Sequence, residues 1–236
     1  MTDTTIPMRK KDMSTNHWRR FMVWLVIGAF QPVEAFAAED LTVTFDDVTQ
    51  GQLPAGWTMD ATNPGGRLAE WSVVIDPNAP SKPNVLTLKV HDTSGSVFNL
   101  CRTRDIAFKD GEIEVKVRAN AGKEDQGGGL IWRVIDAKNY YVARYNPLES
   151  NFRLYYVKDG ERTQIASASG VEIKATEWFS IKITHHGARI EGYLNGKKYL
   201  EARDETFKAA GGVGFWTKAD AASSFDDLRV LPASRH

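Results

Sequence analysis

The chain has 236 residues, with 30 Lys+Arg against 30 Asp+Glu, 42% hydrophobic residues, 25% charged residues and one cysteine. That balance is globular, not disordered, and without a basic surplus it argues against nucleic acid as a partner. The lone cysteine, Cys101, excludes an intrachain disulfide framework and a multi-cysteine zinc site, and in its apolar setting (VFNLC) it reads as buried and inert.

Residues 1–37 read as an export leader. Arg9, Lys10, Lys11, Arg19 and Arg20 form a basic region before the apolar run Phe21 to Phe30, and Ala35-Phe36-Ala37 is a small-x-small cleavage signal. The predicted cut lies between Ala37 and Ala38, and the run is shorter than the ~20 residues a membrane span needs. An uncleaved anchor is the alternative, and Arg19-Arg20 leaves the general and twin-arginine routes both open. The expectation is a periplasmic or secreted protein with no stable membrane anchor after cleavage. Removing the leader takes away five basic and three acidic side chains, so the mature chain of residues 38–236 carries 25 against 27, formally −2.

Residues 38–236 read as one all-β domain of roughly 12–14 strands. Leu86, Leu88 and Val90, then Ile113, Val115 and Val117, then Phe179, Ile181 and Ile183 alternate with polar residues. Asn195-Gly196 is a two-residue hairpin signal, Lys158-Asp159-Gly160 another turn, and Asp76 to Pro83 a Pro-rich loop. A short helical turn is expected around Phe207. Two antiparallel sheets would each bury one face.

The central meander separates two faces if Ile135 pairs with Tyr140 and Tyr145 with Phe152. Leu130, Trp132, Val134, Tyr141, Ala143, Tyr145, Phe152, Leu154 and Tyr156 then form the core face. Ile131, Arg133, Ile135, Tyr140, Val142, Arg144, Arg153, Tyr155 and Val157 form the other, and Trp216 and Lys218 join them if Phe215 is core. Tyrosine and tryptophan rings stack on sugars and guanidinium forks hydrogen-bond hydroxyls or carboxylates, so this face is a candidate ligand platform. The alternative is a solvated face whose arginine stems cover apolar surface. A one-residue slip would exchange the two faces.

The stretches Lys123 to Arg133, Asp136 to Tyr141, Arg144 to Asn151 and Gly214 to Asp220 with Phe225-Asp226-Asp227-Leu228 resemble exported bacterial proteins of the 3-keto-disaccharide hydrolase domain family. The resemblance covers about residues 41–231. It implies a two-sheet antiparallel jelly-roll sandwich of the concanavalin A-like (LamG-like) lectin/glucanase type, with a carbohydrate on the concave sheet. Family-16 glycosidase chemistry is not expected, because Glu112-Ile113-Glu114-Val115-Lys116 lacks the third acid of E-x-D-x-x-E.

Ligand-binding expectations therefore fall on Arg133, Tyr140, Arg144, Asn151, Arg153, Tyr155, Trp216 and Lys218. Glu149 and His91 are the candidate catalytic groups, although arginines beside Glu149 would weaken it as an acid, and a turn-pinning ion pair is its alternative role. Asp125-Gln126 and the following three glycines form a candidate loop rim, or merely bend the strand. Asp46, Asp47, Asp226 and Asp227 would gather if the terminal strands pair, as a possible structural calcium site or simply as turn caps. No cofactor is required. The leading expectation is carbohydrate recognition; glycoside hydrolysis and a protein-interaction role are the alternatives. Nothing in the sequence speaks to the oligomeric state.

Overall fold

The computed structural model describes residues 40–233; the leader expected at 1–37 lies outside the described residues. Among the described residues there are fifteen strands and no helix: β1 Leu41–Val43, β2 Trp57–Thr62, β3 Trp71–Ile75, β4 Asn84–Leu88, β5 Phe98–Phe108, β6 Gly111–Ala121, β7 Gly128–Asp136, β8 Asn139–Asn146, β9 Asn151–Lys158, β10 Glu161–Ser169, β11 Trp178–His186, β12 Arg189–Leu194, β13 Lys197–Arg203, β14 Gly211–Lys218 and β15 Ala222–Pro232. The turn expected around Phe207 is an irregular loop that drops the Phe207 ring into the core.

Alternation drives the strands. In β6, Ile113, Val115 and Val117 are buried while Glu112, Glu114 and Lys116 point outward, and they lie opposite Ile183, Ile181 and Phe179 of β11. Each such side chain contributes about 1.5–3 kcal/mol on leaving water. Tight turns set the register: Asn195 and Gly196, and Asp159 and Gly160, all have positive φ (48°, 77°, 53° and 87°), as a type I′ hairpin turn requires.

Two antiparallel sheets result. The first runs β13-β12-β11-β6-β15-β4-β3, with β1 also paired to β15; the second runs β10-β9-β8-β7-β14-β5-β2. Between them lies the main core, with Trp132, Tyr141, Phe152, Phe179, Phe215 and Phe225 among its larger members.

The second sheet is strongly curled. A flat sheet would hold β2 and β8 about 19 Å apart, four strand spacings. Instead Thr62 at the end of β2 donates its hydroxyl to the Ala137 carbonyl at 2.6 Å and meets the Tyr140 hydroxyl at 2.7 Å, while Asn63 donates to the Gly160 carbonyl at 3.1 Å. The concave face beneath this fold-over holds a second apolar cluster of Phe98, Leu100, Ile131, Val134, Tyr140, Val142, Tyr155, Val157 and Trp216.

One expected register fails locally. Asp136 pairs with Asn139, but Trp132 pairs with Tyr141, and the intervening bulge carries Arg133 at φ 47°. A left-handed residue inside a strand reverses the alternation beyond it. Val134 therefore joins the concave cluster instead of the core face, and Arg133 leaves the concave face altogether.

Candidate functional site

The concave sheet carries its polar groups at the end where β8 turns into β9. Asn146 closes that turn by accepting the amides of Leu148 and Glu149 at 2.9 and 3.2 Å. The turn holds Glu149 above Arg144 and Asn151, which reach it from adjacent strands. Arg144 donates to Asn151 Oδ1 at 2.7 Å and to Glu149 Oε2 at 2.9 Å, and Asn151 Nδ2 donates to the same carboxylate oxygen at 2.9 Å. Arg153 stands 3.4 Å from it. The Arg144 side chain is only 2% exposed, whereas Glu149 is 46% exposed, so a fixed buried cation presents a carboxylate to solvent. Partial burial disfavours the charged Glu149, but the hydrogen bonds from Arg144 and Asn151 and the charges of Arg144 and Arg153 outweigh it and hold the carboxyl at about 2.

Asp125 comes in from the β6–β7 loop. The Asp220 carboxylate shapes that loop by accepting the amides of Lys123, Glu124 and Asp125. Asn146 Nδ2 donates to Asp125 Oδ1 at 2.9 Å, and Lys218 Nζ stands 3.2 Å from Oδ2. Burial raises the affinity of Asp125 for a proton despite the nearby charges of Arg144 and Lys218. The two carboxyls are thus pushed in opposite directions. Gly129 makes the assembly compact: a Cβ there would stand 2.2 Å from the Ala143 carbonyl oxygen and 2.8 Å from Arg144 Cβ.

Of the residues expected at the site, the structure brings Arg144, Glu149, Asn151, Arg153, Tyr155 and Lys218 together. Tyr140 and Trp216 are on the expected face but are fully buried beneath the curl, so they offer no free ring to a sugar. Arg133 is elsewhere. Its side chain donates to the Lys109 carbonyl at 2.9 Å, the Phe207 carbonyl at 2.6 Å, Asp110 at 3.2 Å and the Gly187 carbonyl at 3.4 Å, tying three loops together. His91 lies in a cleft of about 250 Å³ with Arg67, Glu70 and Lys89. Its Nδ1 meets the Thr93 hydroxyl at 2.7 Å, and burial lowers its pKa. Loops 91–97 and 122–124 meet through Gly95, whose amide donates to Glu124.

The four aspartates do not gather. Asp46 accepts the Asn84 amide at 3.0 Å, and buried Asp226 accepts the Ser81 amide and hydroxyl. Among the described residues no group of three or more His, Cys, Asp or Glu is placed to hold a metal ion. Glu112, of the family-16-like stretch, pairs with Lys182 of the neighbouring strand β11, both on the sheet that does not carry the site.

Sequence reasoning missed Arg162 on β10. Its guanidinium lies over Tyr155, Phe98 and Trp216, at 4.4, 5.1 and 5.7 Å from the ring centroids, and roofs the concave cluster. The one signal for it in the sequence, an arginine two residues after the Asp159-Gly160 turn, is too common to carry a role.

The profile of the 3-keto-alpha-glucoside-1,2-lyase-like domain matches residues 41–231. No curated protein matches the chain. Among solved structures, the carbohydrate binding module CBM66 from Bacillus subtilis superposes with a TM-score of 0.58 at 20% identity, covering 73% of this chain and 93% of that one. The Bacillus licheniformis beta-glucanase gives 0.56 at 11% identity, covering 83% and 99%. The exoplasmic/lumenal domain of VIP36 in its Ca2+/Man-bound form gives 0.56 at 10%, covering 84% and 91%. At these identities the likeness establishes the fold, a jelly-roll sandwich shared by binding modules and glycosidases.

Proposed function

The chain belongs to the 3-keto-alpha-glucoside-1,2-lyase-like domain family, and from that premise we propose that it recognises a glycoside at the Arg144–Glu149 end of its concave sheet. One observation carries the reading. Four polar side chains, Arg144, Asn146 and Asn151 on the outer face of a sheet and Asp125 reaching them from the β6–β7 loop, are buried where no inter-sheet core asks for them. Burying such groups is costly unless they are organised, and here each hydrogen-bonds another member of the group or Glu149. They hold the Glu149 carboxylate, Arg153 and Lys218 at the surface, a donor-and-acceptor array suited to sugar hydroxyls. With the middle of the sheet filled by rings, recognition takes place at the rim, in the manner of a lectin. The leader expected at residues 1–37 would place that recognition outside the cytoplasm.

Calorimetric titration of the purified protein with a panel of methyl and disaccharide glucosides tests this. Binding is expected for at least one glucoside, weakened about tenfold in Glu149→Gln, the loss typical of a charge-assisted hydrogen bond. No binding across the panel, or binding indifferent to the substitution, overturns the proposal.

A second reading, elimination on a keto-glucoside, is favoured by the opposed pKa shifts of Asp125 and Glu149. Two neighbouring carboxyls whose surroundings push their proton affinities apart are the arrangement proton transfer uses. The low proton affinity of Glu149 weakens it as a base, so recognition is put first. Product formation from 3-keto-disaccharides that is lost in Asp125→Asn would reverse that order.

A further inference from the structure

The cations at this site outnumber the carboxylates. Arg144, Arg153, Arg162 and Lys218 face it, against Asp125 and Glu149. Glu149 is shared by Arg144 and Arg153, and Asp125 is taken by Lys218. Arg162 has no carboxylate partner among the described residues. It rests on the same Tyr155 ring that Arg144 approaches from 6.0 Å.

The nitrogens tell the same story. Arg144, almost wholly buried, leaves Nε–H without an acceptor, and Arg162 leaves a buried Nη1–H without one. Buried donors lacking an acceptor are rare in folded proteins and carry the full cost of their desolvation. Both unmet groups are donors, both are cationic, and both flank one ring. Neutral hydroxyls would satisfy the hydrogen bonds but leave the charge excess; a carboxylate satisfies both at once, through charge-assisted bonds to planar guanidinium groups.

Resting on the glycoside-binding reading above, we infer that the site selects a sugar acid, a glycoside carrying a carboxylate, with Arg162 and Arg144 as its receptors. Arg162 is then a specificity-determining residue, and the aromatic rings beneath it fix its guanidinium in place.

The experiment compares a matched pair, methyl α-D-glucopyranoside and methyl α-D-glucopyranosiduronic acid, by calorimetric titration at low and moderate salt. The acid is expected to bind at least about tenfold more tightly at low salt, with a preference that shrinks as salt is added. Arg162→Met, which keeps an unbranched side chain over the rings, is expected to abolish the preference, so that the acid binds no more tightly than the glucoside. Equal binding of the pair by the unsubstituted protein overturns the inference while sparing glycoside recognition. A preference that survives in Arg162→Met removes Arg162 from its role and overturns the assignment. Binding of neither sugar sinks both readings together.

Discussion

Arg133 gives the sharpest test of the structure, because the sequence alone would place it at the ligand. Consider Arg133→Met, which keeps the length of the side chain and removes its donors. Two short bonds from a charged donor to main-chain carbonyls are lost, those to Phe207 at 2.6 Å and Lys109 at 2.9 Å, each worth about 1.5 kcal/mol. The 3.4 Å contact with Gly187 adds little, and Asp110, 28% exposed, can return to water. The loss is therefore about 3 kcal/mol, or roughly 6–12 °C in melting temperature for a domain of this size. Urea titration checks it: the midpoint should fall with the slope unchanged. Glycoside affinity, measured well below the new midpoint, should stay as it was. A loss under about 1 kcal/mol, or an intact fold that no longer binds sugar, would refute the placement of Arg133 as a loop staple.

Two further predictions concern packing and pH. Gly129→Ala would set a Cβ 2.2 Å from the Ala143 carbonyl oxygen, so β7 and β8 must part. A stability loss of about 1–3 kcal/mol is expected together with weaker glycoside binding, since Arg144 moves with its strand; chemical denaturation and titration on the same sample read both. For pH, burial raises Asp226 to about 6 against its hydrogen bonds from Ser81 and Asp227, so its contribution is full below pH 4 and lost as pH rises through 6. Burial, with the Arg133 charge beside it, lowers His185 to about 4, so its contribution is present above pH 6.5 and lost as pH falls toward 4. Between pH 4 and 6 the two slopes oppose, each bounded by about 1.4 kcal/mol per pH unit. Asp226→Asn should therefore gain stability as pH rises across that window, while His185→Asn should lose it; urea midpoints at pH 4, 5 and 6 that match the parent profile would contradict both assignments.

The strands were legible because burial of one face writes a period of two into the sequence, as in β6 and β11, and because Asn195-Gly196 and Asp159-Gly160 have few conformational choices. The terminal strands do pair, with Val43 opposite Leu228, but that followed from the resembling fold and not from any pattern in these residues. The bulge at Arg133 was not legible, since nothing in Trp132-Arg133-Val134 announces a non-glycine residue at positive φ. Nor was the curl of the second sheet, which depends on contacts such as Thr62 with Ala137, 75 positions apart in the chain. That curl turns Tyr140 and Trp216 from surface rings into core and moves the site to the rim. Asp125 was visible only as a member of a glycine-rich loop; its partner Asn146 lies across a strand turn that alternation does not describe.

The pairing of β1 with β15 bears on how the sandwich responds to force. Leu41 lies opposite Val230 and Val43 opposite Leu228 in an antiparallel ladder, so residues 40 and 233 leave the sheet from the same corner. A pull applied between those two points loads the ladder one bond at a time, like opening a zipper, instead of shearing all its bonds together. The same corner suits ring closure: a short linker from residue 233 to residue 40, with new ends opened at the Asp159–Gly160 turn, would give a permuted chain with every other strand pairing left intact.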